Sequence, residues 1–221
     1  MDRKLNYLHL AAVIVGSTCA GLVLKARFGT DWFEFAGFVT GVVGVYLVAV
    51  EHIINWPIGI ANVSIYAWVF FTSRLYADMS LQFFFFALSL HGWWKWARGG
   101  EGKATLLISK VSLSHWVGIL LTWMLGTAIY LPIILHFNGA APFIDSSLTV
   151  ASIIAQLMLN LKKLENWILW IGVDTAYIYL YVSRGLVATA VLYALLLGLA
   201  VAGLNSWNRT YRTLSKPISG S

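Results

Sequence analysis

Charged residues are scarce in this chain. Asp, Glu, Lys and Arg make up 11% of its 221 residues, whereas a typical soluble domain has about 25%. Hydrophobic residues account for 59%, and the mean hydropathy is +0.76. The single cysteine, Cys19, excludes an intrachain disulfide and carries no information about the redox compartment. The composition indicates an integral membrane protein without room for a soluble domain.

Signatures of catalysis and of energy coupling are missing as well. No glycine-rich loop precedes a Lys-Ser/Thr pair, as an ATPase would require. The five histidines lack the spacing of metal ligands, and no serine lies in the context of a hydrolase nucleophile. We therefore expect no catalytic residue, no metal site and no cofactor. A membrane-embedded transferase and a purely structural membrane protein are the alternatives from other functional classes.

Long apolar runs, by contrast, are abundant. A bilayer core about 30 Å thick requires about 20 apolar residues per helix. We interpret the first run as a retained span, because no small-residue cleavage site followed by a polar mature start is present. The sequence therefore predicts an all-α integral membrane protein with eight transmembrane helices. The eight runs lie at 6–25, 32–50, 56–73, 79–97, 115–137, 146–161, 165–183 and 186–205.

The net charge of +6 is unevenly distributed. With eight alternating spans, eleven of the fifteen basic residues fall on the side that holds both termini, and four fall on the other side. Cytoplasmic loops carry such an excess of Lys and Arg, so we expect both termini in the cytoplasm. The basic balance then reports topology, and we expect no nucleic-acid partner. The four residues on the other side are Lys25, Arg27, Arg74 and Arg184.

The chain contains an internal repeat. Shifting it by 111 positions aligns 51–98 with 162–209 without a gap and gives 11 identities in 48 positions. A chance alignment of apolar helices is the alternative, but polar and aromatic residues match at fixed spacing. Copies that lie four spans apart have the same orientation in the membrane, as in transporters with parallel repeats. The matches include Asn55-Trp56 with Asn166-Trp167, Tyr66 with Tyr177, Gly92 with Gly203, and Trp96 with Trp207.

This repeat predicts a core of two parallel three-helix repeats joined by a single linking helix, which we describe as 3+1+3. One additional N-terminal helix precedes the core. The divisions are 1–30 for the extra N-terminal transmembrane helix, 31–98 for the first repeat, 99–140 for the linker helix and loops, 141–209 for the second repeat, and 210–221 for a cytoplasmic tail.

One helix face in the second repeat combines aromatic residues with an acid. Asp174 near a helix centre costs about 2.5–3.5 kcal/mol on insertion scales and should face protein or a watery cavity. Aromatic faces beside a carboxylate suit a flat organic cation. The alternative is a structural Asp that bonds a neighbouring helix, with the aromatics as packing. The residues on this face, spaced by three and four, are Trp167, Trp170, Asp174, Tyr177 and Tyr181.

The first repeat has diverged at these central positions. Gly59 and Val63 stand where the second repeat has Trp170 and Asp174, although Tyr66 is retained. The unequal halves predict an asymmetric ligand.

Three amides lie in otherwise apolar surroundings: Asn62, Gln82 and Gln156. Each either bonds a neighbouring helix or binds a ligand, and an amide offers both donors and an acceptor to sugar hydroxyls. We include all three with Tyr66 in the predicted substrate site.

Several short motifs together resemble the PnuC family of nicotinamide riboside transporters over about 35–207. They are NWPIG at 55–59, LYADMSLQ at 75–82, GWWKW at 92–96, DSSLT at 145–149, AQ at 155–156 and ENWILWIGVD at 165–174. The resemblance implies the 3+1+3 fold, similar to a SWEET sugar transporter, and a homotrimer in the cell inner membrane. It also implies facilitated diffusion of nicotinamide riboside, a vitamin B3 nucleoside, which a cytoplasmic kinase traps by phosphorylation. The paired tryptophans of the family correspond to Trp167 and Trp170.

The implied ligand agrees with the residues, because nicotinamide riboside is a pyridinium cation attached to ribose. Alternatives stay open at this point. Thiamine is also a flat cation, related proteins are thought to carry thiamine or riboflavin, and a neutral sugar would stack on tryptophan without needing Asp174. Asp174 as a proton carrier would make the protein a symporter instead of a uniporter.

Overall fold

The computed structural model describes residues 5–72, 76–99, 106–136, 141–183 and 187–214. Within them the chain forms eight α-helices, which confirms the predicted fold class. Five helices (α1, α2, α5, α6 and α8) are long and apolar enough to cross a membrane by length and composition. The helices are α1 (Tyr7–Phe28), α2 (Trp32–Ala49), α3 (Asn55–Thr72), α4 (Tyr76–Arg98), α5 (Leu113–His136), α6 (Pro142–Asn160), α7 (Asn166–Ser183) and α8 (Val187–Leu214).

Local signals account for several helix boundaries. The Asp31 carboxylate accepts from the Glu34 N–H at 2.7 Å and caps α2. The helix α6 begins at Pro142, before the expected 146, because the fixed φ of proline suits a first turn. The last helix ends at Leu214 rather than at the expected 205. Residues 210–214, which were expected to belong to the cytoplasmic tail, are therefore helical. Arg74 and Arg184, which the charge pattern places on the side opposite the termini, lie outside the described residues.

Each half packs its helices in the same order. The helices α2, α3 and α4 contact one another in sequence, as do α6, α7 and α8. The helix α1 packs on α2, and the linker helix α5 packs on α6. Contacts between the halves run from α2 to α8 and from α4 to α6.

The loops 50–54 and 161–165 occupy equivalent places in the repeat and lie at one end of the bundle, called here the paired-loop end. Glu51 has φ 60° and Lys162 φ 49°, and they are the two non-glycine residues with positive φ among those described. Each stands 111 positions from the other. The Lys162 Nζ lies 3.0 Å from the Glu51 Oε2, so an ion pair joins the two halves at equivalent positions.

The backbone of the two loops is also held in the same way. The His52 N–H donates to the Leu47 carbonyl at 2.9 Å, and its counterpart Lys163 donates to Met158 at 2.8 Å. The Asn55 Nδ2 donates to the His52 carbonyl at 2.7 Å. In the other loop, the Asn166 Nδ2 donates to the Lys163 carbonyl at 2.6 Å. The matched asparagines therefore stand at the start of α3 and α7 with the same side-chain hydrogen bond to the preceding loop.

Four tryptophans, the tryptophan cluster, close the bundle beside these loops. Trp56 meets Trp96 edge-to-face with ring centroids 5.2 Å apart, and Trp167 meets Trp207 in the same way at 5.5 Å. The two pairs touch, because Trp96 and Trp207 lie 6.2 Å apart. The repeat of Trp and Gly seen in the sequence is therefore a repeat of core packing.

The matched glycines make room for this cluster. A Cβ on Gly92 would lie 2.0 Å from the Trp56 ring, and a Cβ on Gly203 would lie 2.6 Å from the Trp167 ring. Side-chain carbons do not approach that closely, so both positions require glycine while the rings stay in place.

The segment 106–112, which precedes α5, covers the same end. The Ser109 N–H donates to the Lys162 carbonyl at 3.0 Å, and the Leu164 N–H donates back to Ser109 at 2.9 Å. The side chain of Ile108 is buried against the tryptophan cluster. The linker region thus contributes to the packing at the paired-loop end.

Candidate functional site

A cavity of about 1080 Å³ lies between the two halves and is lined by residues from all eight helices. It extends from Trp56 and Trp167 to Glu34 and Asp145 in the first turns of α2 and α6. Each of the eight residues that the sequence predicts as substrate-binding lines this cavity: Asn62, Tyr66, Gln82, Gln156, Trp167, Trp170, Asp174 and Tyr177.

The helix α7 turns its predicted face toward the cavity. Asp174 is 4% exposed, and no hydrogen bond or ion pair reaches its carboxylate from the described part of the chain. The alternative of an Asp that is bonded to a neighbouring helix therefore has no support from these residues. A buried carboxylate without a partner is costly, and a cationic ligand in the cavity would relieve that cost.

The two tryptophans of α7 have different surroundings. Trp167 is 1% exposed and is wedged between Gly203 and Trp207. It offers the cavity little surface and belongs mainly to the tryptophan cluster. Trp170, one turn further along, is only partly buried and packs against the edge of the same cluster. Trp170 is therefore the more accessible ring for stacking.

A group of three tyrosines lies on the other side of Asp174. The rings of Tyr177 and Tyr181 stack at 5.6 Å with an interplanar angle of 14°. Tyr193 from α8 contacts both of them, at 4.9 and 5.3 Å. The Asp174 carboxylate thus lies between Trp170 and Tyr177 along one face of α7. Aromatic rings on both sides of a carboxylate are an arrangement that can hold a flat cation.

The aromatic and amide residues of α3 are anchored to α2. The Asn62 Nδ2 donates to the Gly37 carbonyl at 2.7 Å and to the Thr40 Oγ1 at 3.0 Å. The Tyr66 ring covers Gly37, where a Cβ would lie 3.0 Å from it. The donor group of Asn62 is therefore committed to a neighbouring helix, and its role in the cavity is at least partly structural.

The two predicted glutamines differ in the same respect. The Gln156 Nε2 donates to the Asn160 Oδ1 at 3.2 Å. Gln82 on α4 lines the cavity and makes no hydrogen bond with the described residues. The oxygen and the nitrogen of its side-chain amide are therefore both available to a ligand or to water.

Tyr193, Glu34 and Asp145 are among the lining residues that were not predicted, although the repeat offers a signal for each. Tyr193 occupies the position equivalent to Gln82. Glu34 and Asp145 are themselves equivalent, 111 positions apart, and both line the cavity at the end opposite the paired loops. Following the repeat outward from the matched core, rather than stopping at 51–98, would have identified them.

The basic residues are separated as the charge pattern indicates. Lys110 lies over the Tyr211 ring at 5.1 Å, and Lys162 over the Trp96 ring at 4.4 Å, which puts both at the paired-loop end. Lys25 and Arg27 lie in the last turn of α1, at the opposite end. In the described ranges, no group of three or more His, Cys, Asp or Glu residues could hold a metal ion.

A helical membrane protein with a central cavity between two parallel repeats has the architecture of a transporter. The sequence model of the family described as "Nicotinamide mononucleotide transporter" matches residues 31–209. The chain belongs to this family, which consists of transporters and not enzymes, and this confirms the resemblance to PnuC proteins.

Individual relatives agree with this assignment. The nicotinamide riboside transporter PnuC of Escherichia coli (strain K12) is 27% identical over 213 residues, which cover 84% of this chain and 88% of that protein. The protein of the same name from Neisseria mucosa is 32% identical over 161 residues, covering 68% and 60%. A solved structure, "Crystal structure of the Vitamin B3 transporter PnuC", is similar in fold with a TM-score of 0.77. It is 23% identical and covers 97% of this chain and 96% of the other.

Proposed function

We propose that this chain carries nicotinamide riboside across the membrane by facilitated diffusion. The family and the names of its relatives support a vitamin B3 nucleoside as the substrate. The observation that carries the proposal is the buried Asp174 carboxylate, which lacks a partner among the described residues in a cavity lined by aromatic rings. Nicotinamide riboside supplies the missing positive charge together with a flat ring.

The site residues divide between the two parts of this ligand. Asp174 compensates the positive charge of the pyridinium. Trp170 stacks on the pyridinium ring, and Trp167 lies behind Trp170 in the tryptophan cluster. Tyr177 and Tyr66 continue the aromatic walls. The ribose hydroxyls then meet the amides at a distance from the acid. The amides assigned to the ribose are Asn62, Gln82 and Gln156.

The paired-loop end acts as the cytoplasmic gate in this proposal. The ion pair between Glu51 and Lys162 and the tryptophan cluster join the halves there, so this end must separate if the site is to face the cytoplasm. Unpartnered buried donors cost about 1–3 kcal/mol each. Three indole N–H groups of the cluster, those of Trp56, Trp96 and Trp167, are buried without a partner in the described chain. Water would relieve that cost on opening.

The charge distribution supports an orientation with both termini in the cytoplasm of a cell whose inner membrane holds the protein. Phosphorylation of the riboside by a cytoplasmic kinase leaves the pyridinium charge in place but adds a doubly charged phosphate, which is costly to bring into an apolar cavity beside the Asp174 carboxylate, so the product would not return. This trapping makes uniport sufficient for net uptake. By resemblance to the family, we also propose a homotrimer in the bilayer.

Calorimetric titration of the detergent-purified protein tests the substrate. Nicotinamide riboside, thiamine, riboflavin and a neutral sugar should be compared, and we expect saturable binding that is strongest for nicotinamide riboside. Stronger binding of thiamine or riboflavin would show that this vitamin, and not nicotinamide riboside, is the substrate. Equal binding of the sugar would show that Asp174 does not select a cation.

Uptake into liposomes tests the transport mode. We expect flux down the gradient of the riboside alone, at a rate that does not change when the pH gradient is collapsed. A requirement for a proton gradient would make the protein a symporter with Asp174 as the carrier.

A further inference from the structure

One buried asparagine behind the cavity was not part of the predicted site. Asn160, in the last turn of α6, is 0% exposed. Its Nδ2 donates to the Leu88 carbonyl of α4 at 2.8 Å, and the same nitrogen lies 3.2 Å from the His91 Nδ1. A backbone carbonyl can only accept a hydrogen bond, so the atom of Asn160 that faces Leu88 must be the nitrogen.

This arrangement determines the orientation of the next amide. With its nitrogen directed at Leu88, Asn160 presents Oδ1 to Gln156 at 3.2 Å. An oxygen acceptor requires a donor, so Gln156 must turn its Nε2 toward Asn160. Amide orientations are assigned from their hydrogen-bond networks, and here each atom follows from the Leu88 carbonyl. The Gln156 side chain lines the cavity, and its remaining polar atom, Oε1, is left to accept from a ligand.

We propose that Asn160 is a positioning residue that holds the Gln156 amide with its oxygen toward the substrate. The Gln156 oxygen then gives this part of the cavity a hydrogen-bond acceptor, which favours a ligand that presents a hydroxyl group there. The inference rests on the proposed function, in which that hydroxyl belongs to the ribose.

The chain of hydrogen bonds from Leu88 through Asn160 to Gln156, called here the relay, has no counterpart at the equivalent positions of the repeat. The positions equivalent to Gln156 and Asn160 are Val45 and Ala49, which carry no polar side chain. A symmetric packing role would use both halves, as the glycines and tryptophans do. The relay also crosses between the halves, because Asn160 belongs to α6 and Leu88 to α4.

Gly92 of α4 makes space for this asparagine. A Cβ at that position would lie 2.6 Å from the Asn160 Oδ1 as well as against Trp56. The equivalent Gly203 has only Trp167 within this range. Gly92 therefore serves both the packing that the two repeats share and the relay, which has no second copy.

The test compares ligands that differ by one hydroxyl. Affinities of the purified full chain for nicotinamide riboside and for its 2′-deoxy and 3′-deoxy forms give a hydroxyl ratio. We expect one of the deoxy forms to bind about two- to tenfold more weakly, as for one hydrogen bond. Gln156→Met removes the acceptor at similar length and should bring that ratio close to one.

Variants of Asn160 then distinguish positioning from packing. Asn160→Ala frees the Gln156 amide to turn, and the ratio should fall toward one. In a Gln156→Met background the same change should leave the ratio unaltered. Asn160→Asp keeps an oxygen for the Gln156 Nε2 but loses the bond to Leu88, so it should lower the thermal midpoint while it retains the ratio. Asn160→Ser, which is also too short to reach Gln156, replaces Asn160→Ala if the latter does not fold.

Each outcome is decisive. An unchanged ratio in folded Asn160→Ala, or a wild-type ratio of one for both deoxy forms, would overturn the relay and leave the proposed function standing. Wild-type protein that binds none of the three ribosides would overturn the proposed function, and the relay with it.

Discussion

The two ends of α7 differ in how closely they match the equivalent helix of the first repeat, α3. At its first turn and in the loop before it, the halves share the Asn-Trp pair, matching hydrogen bonds and a positive φ at equivalent positions. One and two turns further along, the cavity is lined by Trp170 and Asp174 from this half, where the other half has Gly59 and Val63. This difference agrees with the proposed function, in which the halves separate at the paired-loop end and an asymmetric ligand binds in the cavity.

The matched glycines should show a clear loss of stability. Gly203→Ala places a Cβ against Trp167, and the overpacking should cost about 1–3 kcal/mol, measured as a loss of thermal stability. Gly198→Ala lies in the same helix with nothing within 4 Å of the added Cβ, and alanine is the better helix former. We expect it to be neutral or stabilising. Similar losses in both variants would mean that the close approach of Trp167 is not what requires glycine.

The ion pair provides the next test of the symmetric region. Both side chains are largely buried, at 10% and 13% exposed for Lys162 and Glu51, and removing one partner leaves the other charge unpaired. Lys162→Met should therefore weaken closure of the paired-loop end. It should increase labelling of a cysteine placed at Ile108, with little change in riboside affinity.

The exchanged pair Glu51→Lys with Lys162→Glu is the matched control and should restore low labelling. Labelling that stays high in the exchanged protein would show that the charges do not act as a pair.

The tryptophans connect the two regions, and they should separate under mutation. Trp170→Ala removes a stacking surface worth about 2 kcal/mol for a desolvated cation, so binding should weaken roughly ten- to a hundredfold in folded protein. Trp170→Phe should retain part of the affinity. Trp167→Ala removes a fully buried ring, which typically costs 3–5 kcal/mol of stability, and should reduce folded yield as well. Equal effects on yield would contradict the assignment of Trp167 to the shared core.

Much of the fold could be predicted, because long apolar runs and the 111-residue shift are visible without coordinates. The cavity-facing side of α7 was also predictable, since helical spacing places Trp170 and Asp174 on one face. Pattern alone could not separate Trp167 from Trp170, because their burial depends on Gly203 and Trp207 from another helix. Asn160 was missed for the same reason, as its partner is a backbone carbonyl of α4.

Asp174 tests the central claim most directly, through titration of two ligands against wild type and Asp174→Asn. The substitution keeps the shape and removes the charge. Binding of the cationic nicotinamide riboside should weaken by about tenfold or more, whereas binding of the neutral, reduced riboside should change little. Equal losses for the two ligands, together with a lower folded yield, would mean that Asp174 is a structural group and that the cavity does not select a cation.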